Sequence, residues 1–149
     1  MRAVVQRVRR ARVTIDEQVV SEIGRGLAAL LGFRAGDTEA DAEYVLDKIV
    51  GLRVFADQDG KMNLGLREVG GGLLLVPNFT LYGDCRKGRR PSFTQAAPPD
   101  EAEQLFQFTV EQARRLSSQV GAGQFGAKMT VEIENDGPVT LLIDSEREF

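Results

Sequence analysis

"RAVVQRVRRARVTI", residues 2–15, decides the fold. Val4, Gln6 and Val8 alternate with Val5, Arg7 and Arg9. A period of two is the signature of a strand, and β-branched side chains suit a pleated surface. The stretch reads as one long strand or two. Residues 18–23 form the next strand. "GLAALLGF", 26–33, is an unbroken apolar run short enough for a strand buried on both faces. Thr38, with Asp41 three residues on, resembles a capping box, and Ala42, Val45, Leu46, Ile49 and Leu52 follow at helical spacing. This predicts a helix over 38–51.

The rest continues in short units. "LRVFADQDGKMNL", 52–64, is strand, turn, strand, with Asp59-Gly60 at the turn. Asp57 and Asp59 lack the further ligands and terminal Glu of a calcium loop. The Gly70–Gly72 turn lacks the Gly-Lys-Ser/Thr of a phosphate loop. "LLLVPNFTLYGD", 73–84, starts as a buried strand that Pro77 interrupts. "CRKGRRPSFTQAAPP", 85–99, is a polar loop. A second helix then runs to about 117, with Ala102, Leu105, Phe106, Val110, Ala113 and Leu116 as its stripe, acids at its start and Arg114-Arg115 at its end. "AKMTVEIEN" and "VTLLIDS" are strands expected to meet at a turn made by Asp136, Gly137 and Pro138. The sum is one α+β domain over residues 1–149, a mostly antiparallel sheet with two main helices.

Composition narrows the chemistry. The 149 residues hold one cysteine, Cys85, and no histidine. That excludes a Ser-His-Asp triad, a Cys-His pair and a zinc site of the usual Cys/His kind. Catalysis has carboxylates, hydroxyls, the lone thiol, backbone amides, or groups brought by the substrate. Cys85 beside Arg86 and Lys87 has no base partner, so a catalytic thiolate is not favoured. No metal or cofactor is expected. No apolar run approaches the length of a membrane span, and the arginine-rich start lacks the apolar core of a signal peptide. A cytoplasmic protein without membrane partners is expected.

Net charge is −3, yet nine of the nineteen basic residues fall in two clusters. Arg2, Arg7, Arg9, Arg10 and Arg12 form one; Arg86, Lys87, Arg89 and Arg90 form the other. Local basic clusters on an acidic chain can hold phosphates without binding every polyanion, and they can equally be solvated strand edges. The residues alone stop at an α+β domain with a candidate RNA-binding surface.

Several motifs then fall in order along the whole chain: "MRAVVQRV", "GDTEADAEYVLDKIVGLRVF", "DGKMN", "RKGRRPSF", "AAPP" and "NDGPVTLLIDS". Together they closely resemble the D-aminoacyl-tRNA deacylases, also called the D-tyrosyl-tRNA deacylase family. The resemblance implies a barrel-like sheet, a homodimer, and hydrolysis of the ester joining a D-amino acid to the 3′ end of tRNA. Glycyl-tRNA would be a substrate too. DNA is not an expected partner.

The resemblance also implies roles. The Gly137-Pro138 bond would be cis and would enter the partner's active site, where rigid carbonyls meet the Cβ of an L residue and spare a D residue. Glycine has no Cβ and would pass. Rejection by ~10⁴-fold needs about 5.5 kcal/mol, within reach of a steric and desolvation conflict. Asn78, Phe79 and Thr80 would be the catalytic segment, with backbone N–H groups near Phe79 and Thr80 holding the oxyanion while the ribose 2′-OH assists. A nucleophilic Thr80 is the other option, with no base in view to activate it; a strand residue without chemistry is the third. Pro77, Met129 and Phe93 would line the pocket, Arg7 would brace the Gly-Pro segment, and Arg86, Lys87, Arg89 and Arg90 would contact RNA. This chain has Pro77-Asn78 where the family has Ser-Gln. A related subgroup has Pro at that place and removes L-alanine from tRNA, but lacks the Phe retained here as Phe79. A relaxed-chirality editor acting on L-alanyl-tRNA is therefore one alternative, and a non-catalytic tRNA-binding module is another.

Overall fold

A computed structural model describes residues 1–148. β1 (Arg2–Ile15) is one long strand and the centre of the molecule. Along one edge it pairs antiparallel with β2 (Gln18–Ile23) and then β3 (Gly26–Gly32); along the other it pairs antiparallel with β8 (Thr130–Asp144). β3 pairs in parallel with β6 (Gly72–Pro77), and β6 in parallel with β7 (Val120–Ala122). β4 (Phe55–Ala56) and β5 (Met62–Leu64) form the expected hairpin. The sheet is thus mixed, with its antiparallel pairings all made by β1. It curls until its ends approach. A Cβ placed on Gly121 of β7 would lie 2.3 Å from Ser21 Oγ of β2, so a side chain there would have to displace that hydroxyl. The fold is the expected α+β, barrel-like arrangement with two helices.

Side-chain alternation sorts the apolar residues into two cores. Leu27, Ala29 and Leu31 of β3 and Leu73 and Leu75 of β6 face α1 (Glu39–Gly51) and α2 (Pro99–Leu116). Ala28 of β3 with Leu74 and Val76 of β6 face away from the helices, into a core built by strands alone. This is why both strands read as continuous apolar runs: each face is buried. β1 serves both cores by changing phase. Ala3 and Val5 enter the helix-side core, whereas Val8, Ala11 and Val13 enter the other. The simple alternation read from the sequence holds as far as Val8 and fails between Val8 and Ala11, where the β1–β8 register slips between Val8 and Arg10. α1 begins as its sequence suggested, with the Thr38 N–H and hydroxyl both donating to the Asp41 carboxylate, at 2.8 and 2.7 Å.

Two expectations change. The segments 127–135 and 139–145 are not two strands joined by a turn; they are parts of the single strand β8, both paired with β1. β7 has no counterpart in the sequence reading.

Candidate active site

β6 ends at Pro77, where the missing N–H suits the exit from a ladder. The chain then turns into a 3₁₀ helix, Phe79–Tyr82, rather than continuing as strand. Thr80 is therefore not a strand residue. The turn rests on β3: the Asn78 N–H donates to the Leu31 carbonyl at 2.7 Å, and the Leu81 and Gly83 amides donate to Asn78 and Thr80 carbonyls at 3.3 and 2.9 Å. The first N–H groups of any helical turn lack an acceptor within it. Among the described residues, the amides of Phe79 and Thr80 have no hydrogen-bond partner. The Thr80 hydroxyl donates to Asn78 Oδ1 at 2.5 Å.

Next to this turn opens a cleft of about 710 Å³, which Thr80 itself does not line. Pro77, Asn78, Phe79 and Met129 all line it. Leu30, Val76, Val131 and Ile133 extend its wall, which is the open end of the strand-only core. Phe125, Ala96 and Ala97 close the other side. A cleft of this size, largely apolar with a few polar groups at its rim, is the usual form of a small-ligand site. Gly123 packs closely against two of the lining residues: a Cβ there would lie 2.9 Å from Met129 Sδ and 3.2 Å from Pro77 Cδ. Sequence reasoning did not select Phe125, Val131, Ile133 or Gly123. The period-two run Met129, Val131, Ile133 was the available signal for two of them.

Phe93 does not line the cleft. It packs edge-on against Phe79, with ring centroids 5.1 Å apart at 71°. It is brought there by the loop after the 3₁₀ turn. Asp84 and Ser92 exchange backbone hydrogen bonds of 2.7 and 3.0 Å, so the segment between them leaves and returns at one point. Arg86, Lys87, Arg89 and Arg90 are exposed on this excursion, beside the Phe79 end of the cleft. Arg86 is turned back: its guanidinium and its N–H all donate to the Asp84 carboxylate. Those bonds hold the Asp84 carboxyl down at about 2.

The arginines of β1 are disposed differently. Arg2 pairs with Asp144, Arg12 with Glu132, and both Arg7 and Arg9 with Asp136. β8 thus supplies carboxylates opposite four of the five arginines, while Arg10 is exposed and has no ion-pair partner among the described residues. Of the two basic clusters, that of the 86–90 loop is the less compensated, with Arg86 alone in an ion pair among the described residues.

Gly137 and Pro138 are exposed, are joined by a cis bond, and do not line the cleft of their own chain. They belong to a bulge. Gln6 pairs with Thr140 and Val8 with Asn135, so residues 136–139 all stand opposite Arg7. The Asn135 side chain stitches this bulge, its Nδ2 donating to the carbonyls of Arg7 and Val139, both at 3.0 Å. Arg7 braces it from below, with Nε 3.0 Å from Asp136 Oδ2 in an ion pair of off-axis geometry and Nη1 donating to the Val54 carbonyl. Gly137 has φ +121°, a value that an L side chain resists.

The family model described as D-Tyr-tRNA(Tyr) deacylase matches residues 4–144. The chain belongs to the D-Tyr-tRNA(Tyr) deacylase family. Relatives carrying the name D-aminoacyl-tRNA deacylase include one from Desulfitobacterium hafniense (strain DSM 10664 / DCB-2), 56% identical over 149 residues and covering 100% of both chains. Another, from Heliobacterium modesticaldum, is 58% identical over 144 residues, covering 97% of this chain and 96% of its own. Among solved structures, one named c-Myc DNA Unwinding Element Binding Protein is 41% identical with a TM-score of 0.91, covering 97% of this chain and 98% of its own. One described as a probable eukaryotic D-amino acid tRNA deacylase has a TM-score of 0.83 at 19% identity, over 96% of this chain and 98% of its own, and so shares the fold. This member of the D-Tyr-tRNA(Tyr) deacylase family has Phe79-Thr80 at the turn and Pro77-Asn78 ahead of it. No helix among the described residues is long and apolar enough to cross a membrane.

Proposed function

We propose that the protein hydrolyses the ester of D-aminoacyl-tRNA, releasing a D-amino acid and free tRNA, and that it also accepts glycyl-tRNA. The observation that carries this reading is the pair of unpartnered amides on the consecutive residues Phe79 and Thr80, the first of which lines the apolar cleft. Two N–H groups fixed on a short turn are the donors an ester's tetrahedral intermediate needs, and each such donor contributes roughly 10²–10³-fold to turnover. The cleft receives the terminal nucleoside, and the basic loop at its Phe79 end receives backbone phosphates.

Thr80 acts through its backbone. Its hydroxyl proton is committed to an amide oxygen, which is no base, so the hydroxyl is not activated for attack. The ribose 2′-OH, vicinal to the ester, is the group already in reach of the reacting carbonyl, and holding the two together is worth several orders of magnitude in rate.

The protein works as a homodimer in which the Gly137-Pro138 segment of each subunit reaches the cleft of the other. The bulge is exposed, braced by Arg7 and Asn135, and absent from its own cleft, which suits a part presented outward. Its carbonyls then reject the Cβ of an L residue. Purified protein is to be given D-tyrosyl-tRNA and L-tyrosyl-tRNA in parallel. Hydrolysis of the D ester with the L ester spared is expected; equal hydrolysis of both, or of neither, would sink the reading.

A further inference from the structure

Gly32, Arg2 and Asp144 are direct partners across β3, β1 and β8. Directly opposed residues project from one face of a sheet, so the three form a row. The 3₁₀ turn Phe79–Tyr82 sits on that row. Gly32 leaves the space that the turn fills: a Cβ there would be 2.9 Å from Leu81 Cβ, 3.1 Å from the Asn78 carbonyl oxygen and 3.4 Å from Tyr82 Cδ2. Arg2 covers the other side. Its Nη1 donates to the Leu81 carbonyl at 3.4 Å, and its guanidinium carbon stands 4.6 Å from the centroid of the Tyr82 ring. Asp144, 3% exposed, fixes the guanidinium by accepting from Nε at 3.0 Å. Tyr82, 2% exposed, ends the turn and is the ring on which the guanidinium lies.

We infer that Arg2, oriented by Asp144, is a positioning residue that sets the Phe79–Tyr82 turn and through it the amides of Phe79 and Thr80. Arg2 does not touch the substrate. Besides its ion pair with the exposed Glu148, it makes three contacts around the turn: one with a ring, one bond to the turn's carbonyl and one to a buried carboxylate. A guanidinium can do all three at once, whereas an ammonium on a flexible stem offers a point charge. The role rests on the reading of those amides as oxyanion donors. An interaction felt only through such donors lowers kcat and leaves KM nearly unchanged when it is lost.

The test uses the full chain with Arg2→Met, Arg2→Lys and Asp144→Asn beside the unchanged protein. Amide exchange at Leu81 and Gly83, whose hydrogen bonds close the turn, is followed without substrate, and D-tyrosyl-tRNA turnover is measured separately. Arg2→Met is expected to speed exchange at those two amides by about tenfold or more and to lower kcat by about 10–100-fold with KM within about twofold. Asp144→Asn should shift both readouts the same way, and Arg2→Lys should recover part of kcat. Unchanged exchange at the turn in folded Arg2→Met overturns the inference, whatever the activity. So does exchange that quickens evenly along β1 and β3, the mark of a general loss of stability. If the unchanged protein leaves D-tyrosyl-tRNA intact, the functional reading fails, and the exchange data still decide whether Arg2 holds the turn.

Discussion

The Thr80 hydroxyl donates to Asn78 Oδ1 at 2.5 Å, closing a side-chain ring across the start of the 3₁₀ turn. The contact orders the turn and occupies the only proton Thr80 could surrender. Thr80→Val keeps the shape and the backbone N–H, so deacylation in single-turnover assays should fall by no more than about threefold. A nucleophilic hydroxyl would give a loss of about 10³-fold or more on the same change, on the order seen when a nucleophile is removed.

Gly137 lies at φ +121°, and a Cβ there would stand 2.9 Å from both the Val139 nitrogen and Val139 Cγ2. Gly137→Ala should therefore destabilise the bulge by about 1–3 kcal/mol. Urea unfolding would read the cost. A change in the ratio of D- to L-tyrosyl-tRNA hydrolysis should accompany it, because the carbonyls assigned to the filter move with that residue.

Asn135 carries a different load. It donates to the carbonyls of Arg7 and Val139 and accepts from Gln6 Nε2 at 3.2 Å. Asn135→Ala strands two half-buried carbonyls and should cost about 1–3 kcal/mol. The measurable signature is a lower urea midpoint with an unchanged m-value.

The Asp84 carboxyl, hydrogen-bonded by the Arg86 guanidinium and N–H, should titrate at about 2 when followed by side-chain carbonyl NMR. An unperturbed Asp titrates at about 3.9. Because the folded value is the lower one, the clamp's contribution is fully present above about pH 4 and is lost as pH falls through about 2. Arg86→Ala should return the midpoint towards the ordinary range.

Lys87, Arg89 and Arg90 are exposed and have no ion-pair partner among the described residues. If they meet phosphates, replacing all three with Ala should weaken tRNA binding and flatten the dependence of log K on log salt by about 2–3, near 0.7–0.9 per contact. Replacing Arg9 and Arg12, which face Asp136 and Glu132, should change the slope much less.

Much of this molecule could be read from its residues, and the failures have physical causes. The runs 26–33 and 73–76 announced strands buried on both faces, and the stripes of 38–51 and 99–117 announced both helices. Pro77 marked the end of β6 correctly. Just beyond it, Phe79-Thr80-Leu81-Tyr82 has strand propensity throughout, yet the segment coils because tertiary contacts at Gly32 and Arg2 outweigh that propensity. β7 is three residues, two of them Gly121 and Ala122, too short and too small to leave a periodic signal. The Asn-Asp-Gly-Pro stretch reads as a turn because its residues favour turns locally. A bulge satisfies the same preferences while the strand continues, and only pairing with β1 tells the two apart. Of the site, the turn's motif was visible; the cleft walls Val131 and Ile133 looked like any sheet face.

The unpartnered amides of Phe79 and Thr80 have a consequence for how this protein tolerates change. A donor that belongs to the main chain survives almost any replacement of the side chain it is attached to. Residue identity around the turn is thus free to vary, while the curvature of the polypeptide is not. Swapping a single amide for an ester linkage at position 80 would touch the chemistry more directly than any alteration of the twenty coded side groups there.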